Sequence, residues 1–324
     1  MLYPLMFEPI FQPRIWGGRS LETLYGKSLP ADVPIGESWE ISDRADATSI
    51  ISNGNLAGKS LRWLMEEHGS ELMGKAKALN GRFPLLIKIL DAREKLSLQV
   101  HPPAHLAAAL KGEPKTEMWY FTQAEPKAEI FAGLKSGVTE SMFAAKTNDG
   151  TVAECLHRIP VRQGDSMFLP SGRVHALGQG MVIFEIQQNS DTTYRVFDWN
   201  RTDNQGMPRD LHIEQSLRCI DFDDVEPSLI EVISPLEAQG VRVCSLVDHE
   251  LFHVDLVETQ DTSTLQYSLE SPMVVGVVQG GALIQHGSEQ IKLSAGNFAL
   301  IPANLVRVQI CATAQARLLL ASPN

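Results

Sequence analysis

The chain is short of several things, and each shortage removes a class of function. It has four cysteines in 324 residues, Cys155, Cys219, Cys244 and Cys311, and no Cys-x-x-Cys pair. That spacing offers neither a disulfide framework nor a thiolate zinc site, so the thiols are expected to be reduced and mostly buried. Basic residues are in deficit, 28 against 39 acidic, for a net charge of −11. Such a balance argues against nucleic acid and anionic membranes as partners. An anionic ligand would have to be drawn by a local basic pocket. No apolar run is long enough to span a bilayer. The first eleven residues carry Glu8 and no basic flank, unlike a secretory signal. No glycine-rich loop of the nucleotide-binding kind occurs. The expectation is a soluble, cytoplasmic protein.

What is present is ordinary globular composition, 44% apolar and 21% charged. The length suits two domains with a large buried core. Short strand-like runs at 39–42, 85–90, 118–122 and 181–188 suggest a sandwich or barrel. Helical spacing appears at 60–67, where Ser60 can cap and Gly69 can terminate, and at 104–110, 141–145, 151–157 and 210–219.

Residues Gly164 to His175 read G-D-S-M-F-L-P-S-G-R-V-H. Asp165 to Leu169 can be a strand, Pro170 and Gly172 a turn, and His175 the first inward residue of the next strand. A neutral imidazole there is a metal-ligand candidate; a surface histidine on a hairpin is the plainer reading. Other ligands are available. Gln99 and His101 share a strand face, as do Lys115, Glu117 and Trp119. Taken singly, Gln99 could cap a turn, His101 could close a strand before Pro102, and Glu117 could sit solvated at an edge. Together, Gln99, His101, Glu117 and His175 make a mixed N/O set suited to zinc with open positions.

The Gly-x5-Pro-x-Gly-x2-His spacing resembles the second motif of the cupins, small metal-holding β-barrels. The wider set resembles the type I phosphomannose isomerases in their shorter bacterial form. The segments that carry it are Arg14-Ile15-Trp16-Gly17-Gly18, Gly36-Glu37-Ser38-Trp39-Glu40, Pro84 to Lys88, Gln99-Val100-His101-Pro102, Lys115-Thr116-Glu117, Gly172 to Ala176 and Asn189 to Arg195. They extend to about residue 220, roughly two thirds of the chain. General cupins more often show His-x-His with a glutamate soon after. Here Gln99 stands first, and Glu117 follows a helix-like insert. Gln179 stands where the general motif usually ends in Asn.

The resemblance implies interconversion of mannose 6-phosphate and fructose 6-phosphate, with a proton moved between C2 and C1 through a cis-enediol. It implies one zinc per chain held by Gln99, His101, Glu117 and His175. One carboxylate and three neutral ligands leave a charge of about +1 there, which suits an electrophile. Lys115, on the face of Glu117, becomes a proton-transfer candidate whose pKa a nearby cation would depress. Arg195 could hold the developing oxyanion, with Asp191 orienting it; a structural Asp–Arg pair competes with that role. Lys115, His101 and a water on the metal all remain as the C1–C2 base. Arg14, Arg173 and Lys88 are phosphate candidates. Trp16 can line the sugar pocket, and Glu37 and Glu40 can accept sugar hydroxyls.

The last third repeats the frame without the chemistry. Gly296 to Arg307 keeps Gly296 and Pro302, places Asn304 for the second glycine and Arg307 for the histidine. Asn tolerates the left-handed conformation such a turn can need. The expected fold is therefore mainly β: two cupin-like barrel or jelly-roll domains with short helical insertions. Residues 1–230 would be catalytic, 238–324 metal-free, and the linker would lie in 221–235. Two rivals follow from the same residues. A metal-dependent cupin oxygenase would want a histidine at Gln99. A non-catalytic sugar-binding cupin would need neither Lys115 nor Arg195.

Overall fold

The computed structural model describes residues 2–202, 206–287 and 289–324. Its first two thirds contribute eleven strands: β1 (Ile10–Gly18), β2 (Ile35–Ile41), β3 (Leu85–Ala92), β4 (Leu98–Val100), β5 (Glu117–Ala124), β6 (Glu129–Leu134), β7 (Leu156–Pro160), β8 (Ser166–Leu169), β9 (His175–Leu177), β10 (Met181–Gln188) and β11 (Tyr194–Phe197). They form a six-stranded sheet, ordered β1-β2-β3-β10-β5-β8, and a five-stranded sheet, ordered β11-β4-β9-β6-β7. Pairing is antiparallel throughout, and no pairing joins the two sheets among the described residues. The expected mainly β chain is therefore found, as stacked open sheets and not as closed barrels. Leu90, Trp119 and Ile183 of one sheet meet Ile130, Ala132 and Leu177 of the other in a shared core.

The middle of the six-stranded sheet explains its own sequence. β3 (LLIKILDA) and β10 (MVIFEIQQ) are buried at every position. Strands covered on both faces lose the alternation of a half-exposed sheet. One face packs on the stacked sheet, and the other carries Leu85, Ile87 and Phe184 into a cluster with Val254, Leu256, Phe298 and Leu319 of the last third. Within this apolar run Lys88 and Glu185 are directly opposed across the β3–β10 pair, and Glu185 in turn opposes Trp119 of β5. Two charges at the centre of a buried sheet mark the face that a cavity must reach.

The last third holds two more sheets. Strands Leu236–Ala238, Val241–Asp248, Phe252–Thr259, Arg317–Pro323, Met273–Gln279 and Phe298–Ile301 pair in that order. Ser263–Ser268, Arg307–Ala312, Gly281–His286 and Glu289–Ser294 pair in theirs. The strand–turn–strand frame recurs as expected, from Gly164 to β9 and from Gly296 to Arg307. The turn does not. Gly172 takes the left-handed conformation in the first copy (φ 95°), whereas in the second Val306 takes it (φ 56°) and Asn304 does not. Asn304 instead spends its amide on Glu71 Oε2, 3.1 Å away. Residues 221–235 form no helix or strand, but they lie along the first two thirds. The carbonyl of Asp224 accepts the Leu134 amide, and the Ile230 amide reaches the Ser166 carbonyl.

The helices are α1 (Ser20–Tyr25), α2 (Leu61–Met73), α3 (Ala104–Ala107), α4 (Glu140–Asp149) and α5 (Ile213–Cys219). Ser60 caps α2 by accepting the Trp63 amide, as its sequence suggests. The stop is Gly74, not Gly69: the helix bends at His68 and continues, because Leu72 and Met73 have a core to enter. The cysteines are unpaired, with Cys155, Cys219 and Cys244 buried and Cys311 half-buried.

Candidate metal centre

Two neighbouring strands of the five-stranded sheet bring the first ligand candidates together. Gln99 of β4 and His175 of β9 are register partners, and Gln99 Nε2 lies 3.2 Å from His175 Nε2. Half a turn of the Gln99 amide exchanges its nitrogen and oxygen, and the oxygen is the atom a cation needs. His101 follows β4 directly, and Glu117 opens β5 on the facing sheet. Glu117 Oε1 is 3.3 Å from His175 Nε2, and Glu117 Oε2 is 3.6 Å from His101 Nε2. One ligand atom from each of His101, Glu117 and His175 lies within 4.8 Å of the others, and all three residues are buried.

These atoms are oriented but unsatisfied. His101 Nδ1 meets the Thr192 carbonyl at 2.8 Å, and His175 Nδ1 meets the Arg173 carbonyl at 2.9 Å. A ring whose Nδ1–H is given to a carbonyl presents Nε2 as a lone pair, the tautomer of a metal ligand. His101 Nε2 and both Glu117 oxygens are buried without a hydrogen-bond partner. Lys115 Nζ stands 2.9 Å from Glu117 Oε2 as an ion pair, without the geometry of a hydrogen bond. Burial, with Lys115 beside it, holds the His101 imidazole down to about 3 against the pull of Glu117, so it stays neutral. Burial works to raise the Glu117 carboxyl, but Lys115 overrides it and keeps it well below the ordinary range. Orphaned buried acceptors around one point, with two imidazoles and one carboxylate, fit a divalent cation.

Next to this trio lies a cavity of about 460 Å³. Gln99 and Lys115 join it to the trio, and Arg14, Trp16, Glu37, Lys88, Asp191 and Arg195 line it. β1 reaches it by crossing β2 closely: a Cβ on Gly17 would lie 2.4 Å from the Gly36 nitrogen. Glu37 is pinned by Arg14 (2.8 Å) and by the Trp39 indole (2.7 Å). Burial opposes its ionisation, but Lys88 and Arg14 hold it down to about 2. Lys88 Nζ is 3.5 Å from Glu185, 3.7 Å from Asp191 and 3.8 Å from Glu37.

Three placements differ from the sequence reading. Arg173 does not line this cavity; its fork closes on both Asp224 oxygens and its Nη1 donates to the Phe168 carbonyl. Arg195 is anchored on the Asp210 carbonyl at 2.8 Å, while the ion pair of Asp191 is with Lys88. Lys115 stands beside Glu117 as expected, and the depression expected of it belongs to the state with a cation bound. Burial pulls its pKa down, but Glu117 and Glu185 raise it above the ordinary lysine value. Glu40 turns away from the cavity and pairs with buried Lys27 at 2.8 Å.

The structure adds Glu185, Arg209 and Ser97 to the lining and gives Trp119, the strand-face neighbour of Glu117, a place in it. Trp119 Nε1 donates to Glu185 Oε1 at 2.9 Å, and burial together with Glu117 raises the Glu185 carboxyl. Arg209 is held by Asp198 at 2.8 Å, and its charge, after burial, lowers the Arg195 guanidinium. Glu185 had a readable signal, a lone carboxylate in the run Met181–Gln188; Arg209 had none, because its cavity position depends on a coil.

Residues 5–146 match the family model described as phosphomannose isomerase type I, catalytic domain. The chain is 38% identical over 307 residues to the mannose-6-phosphate isomerase of Streptococcus mutans, covering 93% of each chain. It is 34% identical over 307 residues to the mannose-6-phosphate isomerase ManA of Bacillus subtilis, covering 93% of this chain and 94% of that one. The crystal structure of mannose 6-phosphate isomerase from Bacillus subtilis superposes with a TM-score of 0.90 at 32% identity, over 99% of both chains.

Proposed function

The chain belongs to the type I phosphomannose isomerase family, and from that premise we propose how its residues serve the interconversion of mannose 6-phosphate and fructose 6-phosphate. The observation that carries this reading is the buried His101–Glu117–His175 cluster, with His101 Nε2 and both Glu117 oxygens unsatisfied, beside a cavity whose wall bears both cations and carboxylates. Gln99, His101, Glu117 and His175 hold one divalent ion, and this oxygen- and imidazole-bearing set favours zinc. When bound, that ion supplies positive charge beside the C1 and C2 oxygens, where negative charge develops.

The chain's own groups do the rest. Arg195 is the register partner of Gln99, so its guanidinium stands next to the ligand set and can hold a developing oxyanion. Glu185 is the carboxyl best disposed to carry the proton between C2 and C1. It lines the cavity, its pKa is raised, and Trp119 fixes one oxygen while Lys88 faces the other. Lys115 neutralises Glu117 and offers further protons to the sugar oxygens. Trp16 forms an apolar wall for the sugar, and ionised Glu37 accepts hydroxyls. Arg14 and Arg209 supply positive charge for the phosphate, with Arg195 between that end and the metal set.

The test is fructose 6-phosphate formation from mannose 6-phosphate by zinc-replete protein, before and after chelation. Turnover lost on chelation and restored by zinc is the expected result. Turnover that survives complete removal of metal would overturn the metal-dependent reading. Metal-loaded, folded protein without turnover would overturn the substrate assignment.

A further inference from the structure

The carbonyl that orients His101 belongs to Thr192, in the coil between β10 and β11, and this coil is tied to a second coil that leads into β5. The Thr192 hydroxyl accepts the Glu113 amide at 3.0 Å, and the Ser190 hydroxyl donates to the Glu113 carbonyl at 3.1 Å. Ser190 Oγ also accepts the Thr192 amide at 3.2 Å, which makes a tight local turn. Arg44 closes the two coils from outside. Its Nη1 donates to Glu113 Oε2 at 2.7 Å and to the Asn189 carbonyl at 3.2 Å, and its side chain is 14% exposed. Asn189 is then fastened to the body of the fold, its amide donating to the Asp43 and Phe83 carbonyls.

We propose that Arg44 and Thr192 are positioning residues for the metal centre: they clasp the two coils so that the Thr192 carbonyl holds His101 in ligand orientation. The reading rests on His101 being a metal ligand, as proposed above. Neither residue lines the cavity, so neither touches substrate by the present geometry. The clasp acts on the His101 ring alone, since His175 takes its orientation from a carbonyl on a different turn. Carbonyl partners of ligating histidines set ring direction and basicity, and their loss typically lowers metal affinity about 10- to 100-fold.

Zinc affinity of the full-length protein, measured by competition with a chromogenic chelator, tests this. Thr192→Val removes the acceptor for Glu113 and keeps the side-chain shape. Arg44→Met removes both outer bonds and keeps most of the length. Each is expected to weaken zinc binding about tenfold, while thermal unfolding of the metal-stripped protein stays close to the parent's. One nitrogen of Arg44 makes both contacts, so Arg44→Lys is expected to restore the affinity. Unchanged zinc affinity in both variants would overturn the clasp. So would weakened affinity accompanied by an equal loss of metal-stripped stability and no rescue by lysine, which would make the bonds structural only. A parent protein that binds no zinc would overturn the metal reading itself, and is told apart by that control.

Discussion

At the scale of single residues, charge placed where charge is costly is the informative signal. Lys88 and Glu185 interrupt the apolar middles of strands that are buried at every position. Lys88 could be singled out from sequence because a family segment contains it; Glu185 carries the same signal and was passed over. Arg173 shows the reverse. It lies only two residues from His175 in sequence, but it sits in the turn before β9, and Asp224 takes its fork. Strand alternation does not extend into turns.

Three expectations belong here. His175→Ala should lower zinc content from about one per chain toward zero, by metal analysis of the purified protein; full content would remove His175 from the ligand set. Arg195→Ala should lower kcat on the order of 100-fold with metal content unchanged; equal loss of both would make Arg195 structural. The third concerns acid. The Glu37 carboxyl lies at about 2 against an ordinary 4.5, because Lys88 and Arg14 overcome the cost of burial. A depressed carboxyl contributes stability that is present above its unfolded value and lost as pH falls through the folded one. That shift corresponds to on the order of 3 kcal/mol at most. Glu37→Gln should therefore flatten the fall in melting temperature between roughly pH 5 and pH 2. An unchanged slope would show that Glu37 is not held this way.

At the scale of elements, beginnings were more readable than ends. Ser60 announces α2 because a hydroxyl that accepts the Trp63 amide is local chemistry. The end of α2 is not local. Gly69 interrupts the pattern, yet the chain resumes its helix so that Leu72 and Met73 can be buried at 0% and 4% exposure. A glycine inside a helix costs about 1 kcal/mol, less than two such side chains return. The second Gly-to-Arg frame makes the same point: its strands were legible, but the left-handed residue is Val306, because Asn304 has a partner in α2. Replacing Ser60 with Ala should cost about 1 kcal/mol in denaturant unfolding. A cost near zero would mean that tertiary packing alone sets the start of α2.

At the scale of the whole molecule, the sequence reading divides the chain at 1–230 and 238–324, and we keep that division as a proposal about topology. It is not a division of the core. The Phe184 ring of β10 lies tilted against that of Phe298, centroids 4.9 Å apart, and both lie in the cluster that also contains Leu5, Ile87, Leu256 and Leu319. Contacts this distant in sequence leave no local periodicity, which is why the shared core was invisible beforehand. Phe184→Ala should cost about 3–5 kcal/mol, seen as one cooperative transition for the entire chain. Two resolved transitions would show that the halves are held separately.

The sheet that bears Lys88, Glu117 and Glu185 on one face carries Ile87, Met118 and Phe184 on the other. The last third is thus a splint: it braces, through the thickness of a single strand, the wall that bears those charges. A graft of residues 1–230 onto another carrier would need that splint's apolar contour as well as its own cavity, and a loosened splint would first show as a misshapen cavity wall rather than as unfolding.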